Sequence, residues 1–437
     1  MDLRANDNYS ANDYMSETFL RELQLARLQN MVRHAYDNVA LFRSRMDERN
    51  IKPEDIKTLK DISLLPFCVK TDLRDTYPFG LCAVPMSEIV RLHASSGTTG
   101  KPIVVAYTQE DLKVWSEVMR RALCCCGLTK NDVVQVSYGY GLFTGGLGAH
   151  AGVEALGATV VPASGGNTKR QVMLIRDFGV NAICYTPSYF LHLIEQAKEL
   201  GIDLRDLPIR AGVFGAEPWT QGMRERLESS AGIEAFDIYG LSEIIGPGVA
   251  IECSQHQGLH IFEDHFYPEI IDPDTCEVLP DGETGELVLT TLSKYAMPMI
   301  RYRTRDITRI ITEKCAGGRT MRRIDRIPAR SDDMFIIRGV NVFPSPIEAA
   351  LLAVEGTTPN YMIKLSTTGN MDNIALDIEL AESVYAQGEA IIEQVRRMVT
   401  ATVESVTGLR IKVTVVPFNS ITRSEGKAKR VLDNRVR

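Results

Sequence analysis

The chain has 437 residues, of which 44% are hydrophobic and 24% charged, a composition typical of globular proteins with a large core. This length predicts two or three domains. The formal net charge of −7 gives no general attraction to phosphate backbones or anionic membranes, so neither nucleic acid nor a membrane is expected as a partner. The scattered cysteines and the polar, signal-free N-terminus indicate a reducing, cytoplasmic location.

Elements predicted in chain order indicate an α/β protein. Residues 15–50 carry apolar side chains at helical spacing, which predicts one long or two short amphipathic helices. From about residue 85, β-rich segments alternate with helical ones, which favours a largely parallel sheet. The β-rich segments are 89–92, 101–108, 132–138, 158–164, 181–187, 211–217 and 234–240, and the clearest helical ones are 110–125 and 188–201. Turn residues between 265 and 312 predict hairpins.

The pattern changes again near residue 331. The segments that follow are a strand (335–340), a helix (345–354), a hairpin around 367–373, a helix of about 22 residues from 385 and a strand (411–418). We therefore expect a large N-terminal domain of residues 1–331, with mixed sheets and flanking helices. A small, mobile α+β C-terminal domain of residues 332–437 is expected after it.

The segment HASSGTTGKP, residues 93–102, lies between two predicted strands. Its glycines let the backbone bend tightly, and its hydroxyl and N–H groups offer many donors to a polyphosphate. It does not match a P-loop, which needs four residues between its glycines and a Ser or Thr after the lysine. A phosphate-binding loop is predicted, with a solvated Ser/Gly turn as the alternative.

Six further motifs follow along the chain. They are YGYGLFTGGLGAH (138–150), GAEPWT (215–220), DIYGLSE (237–243), YRTRD (302–306), RSDDMFIIRGVNVFP (330–344) and RSEGKAKR (423–430). Together with the 93–102 loop, this set resembles the adenylate-forming superfamily of acyl- and aryl-CoA ligases, and within it the phenylacetate–CoA ligase family. The resemblance extends from about residue 15 to the end of the chain.

The resemblance implies an AMP-forming acid–thiol ligase. Such an enzyme activates an aryl-acetic acid with Mg²⁺ and ATP as an acyl adenylate, releases pyrophosphate, and transfers the acyl group to coenzyme A with loss of AMP. The resemblance also implies a homodimer. Three alternatives stay open: an indole acid as substrate, a carrier-protein thiol or an amine as acyl acceptor, and a non-catalytic ATP sensor that regulates a partner.

Roles in ATP binding and catalysis follow from the same resemblance. Lys427 is the lysine of adenylation, and Glu243 is catalytic and holds Mg²⁺ with a hard carboxylate oxygen. Asp306 accepts hydrogen bonds from the two ribose hydroxyls, and Tyr239 stacks on adenine. The remaining residues expected to bind ATP or AMP are Ser95, Ser96, Gly97, Thr98, Thr99, Gly100, Lys101, Gly215, Ala216, Glu217, Asp237, Ile238, Gly240, Ser242 and Arg330.

Several of these residues also have ordinary structural interpretations. Glu243 suits the first turn of a helix, where a carboxylate favours the helix dipole. Asp306 could pair with Arg303 or Arg305, which are close in sequence. Tyr239 could be a core aromatic residue, and Lys427 a solvated lysine near the C-terminus.

The acid, the hinge and coenzyme A are assigned by resemblance as well. The aryl pocket is expected to be lined by Tyr138, Tyr140, Phe143, Gly215, Ala216 and Pro247, since rings and glycines suit a flat apolar acid. The alternative for the aromatic residues is core packing. Asp332 is expected to be the hinge about which the C-terminal domain rotates between the two half-reactions. Arg338, Gly339 and Val340 are expected at the coenzyme A thiol.

Two further segments contain residues that bind zinc. Cys253, His256 and His260 lie in one segment and Cys315 in another, and all four are of types found in tetrahedral zinc sites. Some members of the resembled family have a CxCG turn in the second segment, where this chain has Gly317 in place of the second cysteine. His256 is the expected replacement ligand for a structural zinc ion. The alternative is that the cysteines are unligated.

Overall fold

The computed structural model describes residues 10–95, 102–327, 329–330, 335–337, 340–368, 371–424, 426 and 428–435. The α-helices are α1 (Glu17–Asn38), α2 (Ala40–Glu48), α3 (Lys70–Asp75), α4 (Gln109–Cys125), α5 (Gly145–Leu156), α6 (Thr168–Asp177), α7 (Pro187–Glu199), α8 (Gln221–Ala231), α9 (Pro344–Leu352), α10 (Glu382–Tyr385) and α11 (Glu389–Thr407). No helix in the described ranges combines the length and apolar character needed to cross a membrane.

The strands are β1 (Arg91–Ser95), β2 (Ile103–Tyr107), β3 (Val133–Val136), β4 (Thr159–Pro162), β5 (Ala182–Tyr185), β6 (Ala211–Gly215), β7 (Glu234–Leu241), β8 (Gly246–Glu252), β9 (Leu259–Ile261), β10 (Phe266–Ile271), β11 (Gly285–Thr291), β12 (Tyr302–Thr308), β13 (Ile310–Ile311), β14 (Arg323–Ile324), β15 (Ala329–Arg330), β16 (Phe335–Ile337), β17 (Val340–Val342), β18 (Thr357–Thr368), β19 (Met371–Leu380), β20 (Lys412–Val415) and β21 (Val431–Asn434).

The N-terminal helical pattern forms two helices, α1 and α2, which meet at Val39. Before them, Asp13 is held by the fully buried guanidinium of Arg121, whose Nε lies 2.8 Å from Asp13 Oδ1. The same guanidinium lies 2.9 Å from Asp264 Oδ2. Because a buried charge needs charged or polar partners, this triad ties the N-terminal segment to the body of the protein.

The largest sheet contains the predicted parallel core. Its strand order is β13–β14–β9–β8–β7–β6–β5–β3–β4, and the pairs from β7 to β4 are parallel. Helices α4 to α8 connect or flank these strands, as the alternation of segments predicts. A second, antiparallel sheet has the order β10–β11–β12–β15 and includes the predicted hairpin. The α/β fold class is confirmed.

The C-terminal part has its own sheet, in the order β20–β19–β18–β21, and a separate hydrophobic cluster that runs in sequence from Phe335 to Val413. The helix predicted from residue 385 instead begins at Glu389, since Gly388 has φ +96°, which separates α11 from the short α10. Strand β21, which pairs in parallel with β18, was not predicted. Its four-residue sequence, VLDN, carries no alternating pattern.

Candidate active site

A cavity of about 260 Å³ lies where β6 and β7 end and β12 passes beside them. The carboxyl ends of parallel strands meet at one edge of a sheet, which is where α/β proteins commonly bind ligands. The predicted residues that line it are Ser95, Tyr138, Phe143, Ala216, Glu217, Asp237, Ile238, Tyr239, Gly240, Ser242, Glu243, Pro247, Asp306 and Arg330. The fold thus brings together motifs that are up to 235 residues apart, from Ser95 to Arg330.

Asp306 lies on β12, on the same face as Tyr302 and Thr304, because alternate residues of a strand share a face. Its Oδ2 accepts a 2.6 Å hydrogen bond from the Tyr239 hydroxyl, and its Oδ1 lies 3.5 Å from Arg330 Nη1. Burial and the Asp306 carboxylate raise the pKa of Tyr239. Asp306 therefore joins two other cavity residues and holds a carboxylate at the cavity wall.

The structure contradicts the alternative for Asp306. Arg303 and Arg305 point away from the face of β12 that carries Asp306, and both pair with the fully buried Glu286. The Arg303–Glu286 distance is 2.6 Å and the Arg305–Glu286 distance is 3.4 Å. Sequence proximity misleads here because neighbours in a strand lie on opposite faces.

Glu243 lies in the turn between β7 and β8, so its interpretation as a helix N-terminal residue is wrong. Its side chain is buried beside Tyr302, whose pKa is raised by burial and by the Glu243 charge. Its backbone carbonyl accepts a 2.9 Å hydrogen bond from Lys294 Nζ. Burial lowers the pKa of Lys294 to about 8. Among the described Lys and Arg side chains, none forms an ion pair with the Glu243 carboxylate.

Aromatic side chains form part of the cavity lining. Tyr138 is buried, and its hydroxyl donates to the backbone carbonyls of Tyr185 (2.8 Å) and Val213 (3.2 Å), so the ring is held firmly. Phe143, which also lines the cavity, is 43% exposed. Pro247 is held through its carbonyl, which accepts a 3.0 Å hydrogen bond from Trp115 Nε1.

Among the described residues that were predicted to bind ATP or the acid, two do not line the cavity. Gly215 packs against β7, where an added Cβ would lie 2.5 Å from Ile238 O, so glycine is needed for the close approach of β6 and β7. Tyr140 turns towards α5, where its hydroxyl lies 3.3 Å from His150 Nδ1. Burial raises the pKa of Tyr140. The two motifs reach the cavity through Ala216 and Tyr138, whereas Gly215 lies against β7 and Tyr140 against α5.

Asp237 forms an ion pair with Arg326. Its Oδ2 lies 3.1 Å from Nε of Arg326, which also packs over the Trp219 ring at 4.4 Å. Burial raises the pKa of Asp237 against the opposing effect of Arg326. The hydroxyl groups of Ser242 and Thr144 are joined by a 3.0 Å hydrogen bond. These residues shape the cavity, and sequence reasoning missed Trp219 and Thr144 although both belong to recognised motifs.

Glu217 reaches a different set of partners. Its Oε1 accepts a hydrogen bond from the backbone N–H of Ser188 at 2.7 Å. Its Oε2 accepts one from the backbone N–H of Ala428 at 2.9 Å. The cavity wall is thereby connected to the C-terminal motif.

The other cavity residues that were not predicted from the sequence include Lys70, Tyr302, Thr304 and Ile327. The alternation of buried residues in β12 could have indicated Tyr302 and Thr304.

Several predicted residues lie outside the described ranges. These are Ser96, Gly97, Thr98, Thr99, Gly100, Lys101, Asp332, Arg338, Gly339 and Lys427. Val340 begins β17, and its side chain is also outside the description.

Cys253, His260 and Cys315 form a buried cluster whose possible ligand atoms all lie within 4.8 Å of one another. The two sulfur atoms are 3.9 Å apart. His256 is not part of this cluster, and the prediction that it completes the site is wrong. Its ring instead contacts Glu234 at 3.0 Å and Arg224 at 2.7 Å, because its positive φ of +49° belongs to a turn that directs it towards β7 and α8.

Comparisons with known proteins agree with this geometry. The family model of AMP-binding enzymes matches residues 22–293, and the model of the AMP-binding enzyme C-terminal domain matches residues 339–435. Phenylacetate-coenzyme A ligase of Pseudomonas putida is 52% identical over 95% of this chain and 94% of its own length. The Escherichia coli (strain K12) protein of the same name is 50% identical over 95% of each chain.

Solved structures of 2-hydroxyisobutyryl-CoA ligase are also similar. The structure in the postadenylation state with 2-HIB-AMP has a TM-score of 0.93 at 31% identity, covering 98% of this chain and 93% of the other. The structure in the thioesterification state with 2-HIB-AMP and CoA has a TM-score of 0.73 at 32% identity, covering 99% and 93%.

Proposed function

The chain belongs to the phenylacetate–CoA ligase family of AMP-binding enzymes, and on this premise we propose that it converts a phenylacetate-like aryl acid into its coenzyme A thioester. ATP is consumed and AMP and pyrophosphate are released. The observation that carries the proposal is the single cavity in which a buried carboxylate (Glu243), the Tyr239–Asp306–Arg330 cluster and an aromatic wall meet. Each of these suits one part of an aryl adenylate.

The proposed first half-reaction is attack by the acid's carboxylate on the α-phosphorus of ATP. The bond to the β-phosphate breaks, and pyrophosphate leaves. Asp306 accepts hydrogen bonds from the ribose diol, and Tyr138 with Pro247 contacts the aryl ring. Lys427 brings positive charge to the converging carboxylate and phosphate; such a preorganised charge contributes about 10²- to 10³-fold in rate.

Magnesium suits the position of Glu243. A buried carboxylate without a described cationic partner is costly unless a cation neutralises it, and carboxylate oxygens are ligands that Mg²⁺ prefers. Bound there with ATP, Mg²⁺ would offset phosphate charge. The loop Ser96–Lys101, which follows Ser95 at the cavity, is proposed to bind the β- and γ-phosphates.

The second half-reaction transfers the acyl group to the coenzyme A thiol, with AMP as leaving group. The two 2-hydroxyisobutyryl-CoA ligase structures match this chain over similar lengths but with TM-scores of 0.93 and 0.73. This difference indicates that parts of that ligase are arranged differently in its two states. The higher TM-score supports the proposal that this chain has the arrangement of the postadenylation state. We propose that residues 332–437 rotate about Asp332 between the half-reactions, and that Arg338, Gly339 and Val340 then approach the thiol.

A structural zinc ion is proposed at Cys253, His260 and Cys315. Two thiolates that share one tetrahedral zinc ion, with Zn–S bonds of about 2.3 Å, lie about 3.8 Å apart. The observed 3.9 Å separation fits this value, and His260 Nε2 is buried without a hydrogen-bond partner among the described residues. Zinc analysis of the purified protein, expected to give about one ion per chain, tests the assignment.

The function is tested by acid-dependent pyrophosphate release from Mg·ATP, with and without coenzyme A, across aryl, indole and aliphatic acids. We expect release with phenylacetate-like acids and thioester only when coenzyme A is present. Release without any coenzyme A thioester would indicate another acyl acceptor. Tight ATP binding without release would favour the sensor alternative. The homodimer and cytoplasmic location stay predictions, to be tested by light scattering and cell fractionation.

A further inference from the structure

We infer that Glu217 is a positioning residue that orients the segment carrying Lys427 for the adenylation half-reaction. The inference rests on the proposed function, in which Lys427 acts on the acid and the α-phosphate. The sequence placed Glu217 at the nucleotide, yet its carboxylate oxygens accept hydrogen bonds from two backbone N–H groups of distant segments.

The first of these bonds fixes Glu217 to the start of α7. Ser188 is the second residue of that helix, and its N–H is one of the donors that a helix leaves unpaired at its N-terminus. A carboxylate at this end is also favoured by the helix dipole. Glu217 is therefore a fixed acceptor, placed two residues after the end of β6 and bonded to the first turn of α7.

The second bond reaches the residue next to Lys427. Glu217 Oε2 accepts from the N–H of Ala428, and the carbonyl of Gly426, on the other side of Lys427, accepts from Thr186 Oγ1 at 3.0 Å. Ser188 Oγ is 3.4 Å from the same carbonyl. Gly426 and Ala428, the described residues on the two sides of position 427, are thus both hydrogen-bonded to the body of the protein.

The roles of Thr186 and Glu217 support this interpretation. Thr186 is the N-cap residue of α7, and a threonine there normally accepts a hydrogen bond from its own helix. In this protein its hydroxyl makes no such bond and donates instead to Gly426. Glu217 supplies the acceptor that the helix would otherwise lack. The N-cap position is therefore used for docking the C-terminal segment.

These contacts belong to the postadenylation arrangement. The rotation of residues 332–437 proposed above for the second half-reaction would separate the C-terminal segment from α7 and break the bonds to Ala428 and Gly426. An ion pair between Arg423 and Glu195 of α7, at 3.3 Å, would break with them. Glu217 is therefore expected to affect adenylation and to have little effect on thioester formation.

The test compares Glu217→Gln with Lys427→Ala in each half-reaction. Acid-dependent ATP–pyrophosphate exchange measures adenylation, and synthetic phenylacetyl-AMP with coenzyme A measures thioester formation. In Glu217→Gln, the side-chain oxygen can still accept a hydrogen bond from one of the two backbone N–H groups. The other N–H group then faces the NH₂ group of the amide, which cannot accept from it. We expect its exchange kcat to fall about 10- to 100-fold, the range found when a reacting group is misplaced by about 1 Å, with the KM for ATP nearly unchanged.

Three comparisons make the test specific. Glu225→Gln, which changes an exposed glutamate of α8, should leave both half-reactions at the parental rate. Thr186→Val should slow exchange in the same direction and serves as the second variant if Glu217→Gln does not fold. Adding Glu217→Gln to Lys427→Ala should cause no further loss, because both changes act through one side chain.

The outcomes separate this inference from the function on which it rests. Equal loss in both half-reactions, or a raised KM for ATP at unchanged kcat, would show that Glu217 acts structurally or contacts ATP directly. If Lys427→Ala abolishes exchange while Glu217→Gln and Thr186→Val exchange normally, only the positioning role is wrong. Normal exchange by Lys427→Ala would overturn the proposed role of the lysine and, with it, this inference.

Discussion

Replacing Asp306 by asparagine tests the assignment of the ribose-binding carboxylate. The Asp306 side chain is 8% exposed, and its carboxylate accepts a hydrogen bond from the Tyr239 hydroxyl and lies 3.5 Å from Arg330 Nη1. Asparagine has nearly the same shape, so the fold should be retained. It offers only one acceptor oxygen, however, and it has no charge. The Arg330 side chain is 29% exposed, which lets water replace the lost carboxylate contact.

The expected effect can be estimated from the lost hydrogen bonds. A hydrogen bond to a charged group contributes about 1.5–3 kcal/mol, which corresponds to about a 10- to 150-fold change in affinity. The KM for ATP of Asp306→Asn should rise by that factor. The kcat should change less, because the ribose is bound similarly in the ground and transition states. Tyr239→Phe, which keeps the carboxylate and loses only the hydroxyl that holds it in place, should raise the KM for ATP less than Asp306→Asn does.

The assay is acid-dependent pyrophosphate release at varied ATP concentration, with ATP affinity measured separately by calorimetry. Thermal melting of both variants checks that they remain folded. A KM for ATP within twofold of the parental value in Asp306→Asn would refute the reasoning. The carboxylate would then be a structural partner of Tyr239 and Arg330, with no contact to the nucleotide.

The remaining predictions concern the cavity wall, pH and zinc. Gly240→Ala places a Cβ 2.0 Å from a backbone oxygen of β8, so its kcat/KM for the acid should fall about 10²-fold. The control variant Gly139→Ala has open space around its Cβ and should have the parental activity. Equal activities of the two variants would contradict the packing argument. Burial lowers the pKa of His265 from its ordinary 6.5 to about 4, so the unfolded chain takes up its proton first as pH falls. Between pH 6.5 and 4, the free energy of unfolding of the parent protein should therefore fall by up to about 3 kcal/mol, and that of His265→Gln should not show this fall. If urea denaturation gives the same change with pH for both proteins, the reasoning is refuted. Cys315→Ser should abolish zinc retention and lower the melting temperature, and a zinc-free parent protein would show that the cluster binds no metal.

The sequence alone predicted the fold class and many of the residues that line the cavity. The alternation of apolar β-rich segments with amphipathic helices predicts parallel strands, because strands of a covered sheet are buried on both faces. Segments such as DVVQVSY and AGVFGAE accordingly form β3 and β6. The motifs ending in Glu243 and Asp306 were recognised because several of them occur in one order, and the carboxyl ends of the strands bring them to one edge.

Individual side-chain partners were decided by the tertiary structure. His256 is close in sequence to Cys253, yet its backbone conformation directs it to Glu234 and away from the cysteines. Tyr140 is two residues from Tyr138 but packs on α5. Local sequence does not specify which distant group a side chain will meet, because that depends on how helices and strands pack.

Glu217 shows the same limit at the site itself. Its motif marks the end of β6, where sequence reasoning placed a nucleotide contact. Its partners are the N–H groups of Ser188 and Ala428, which lie 29 residues before it and 211 residues after it. Hydrogen bonds of such sequence separation form only when the C-terminal segment docks on α7. The sequence therefore determined which residues are available at the site, and the packing of the chain decided which of them act together.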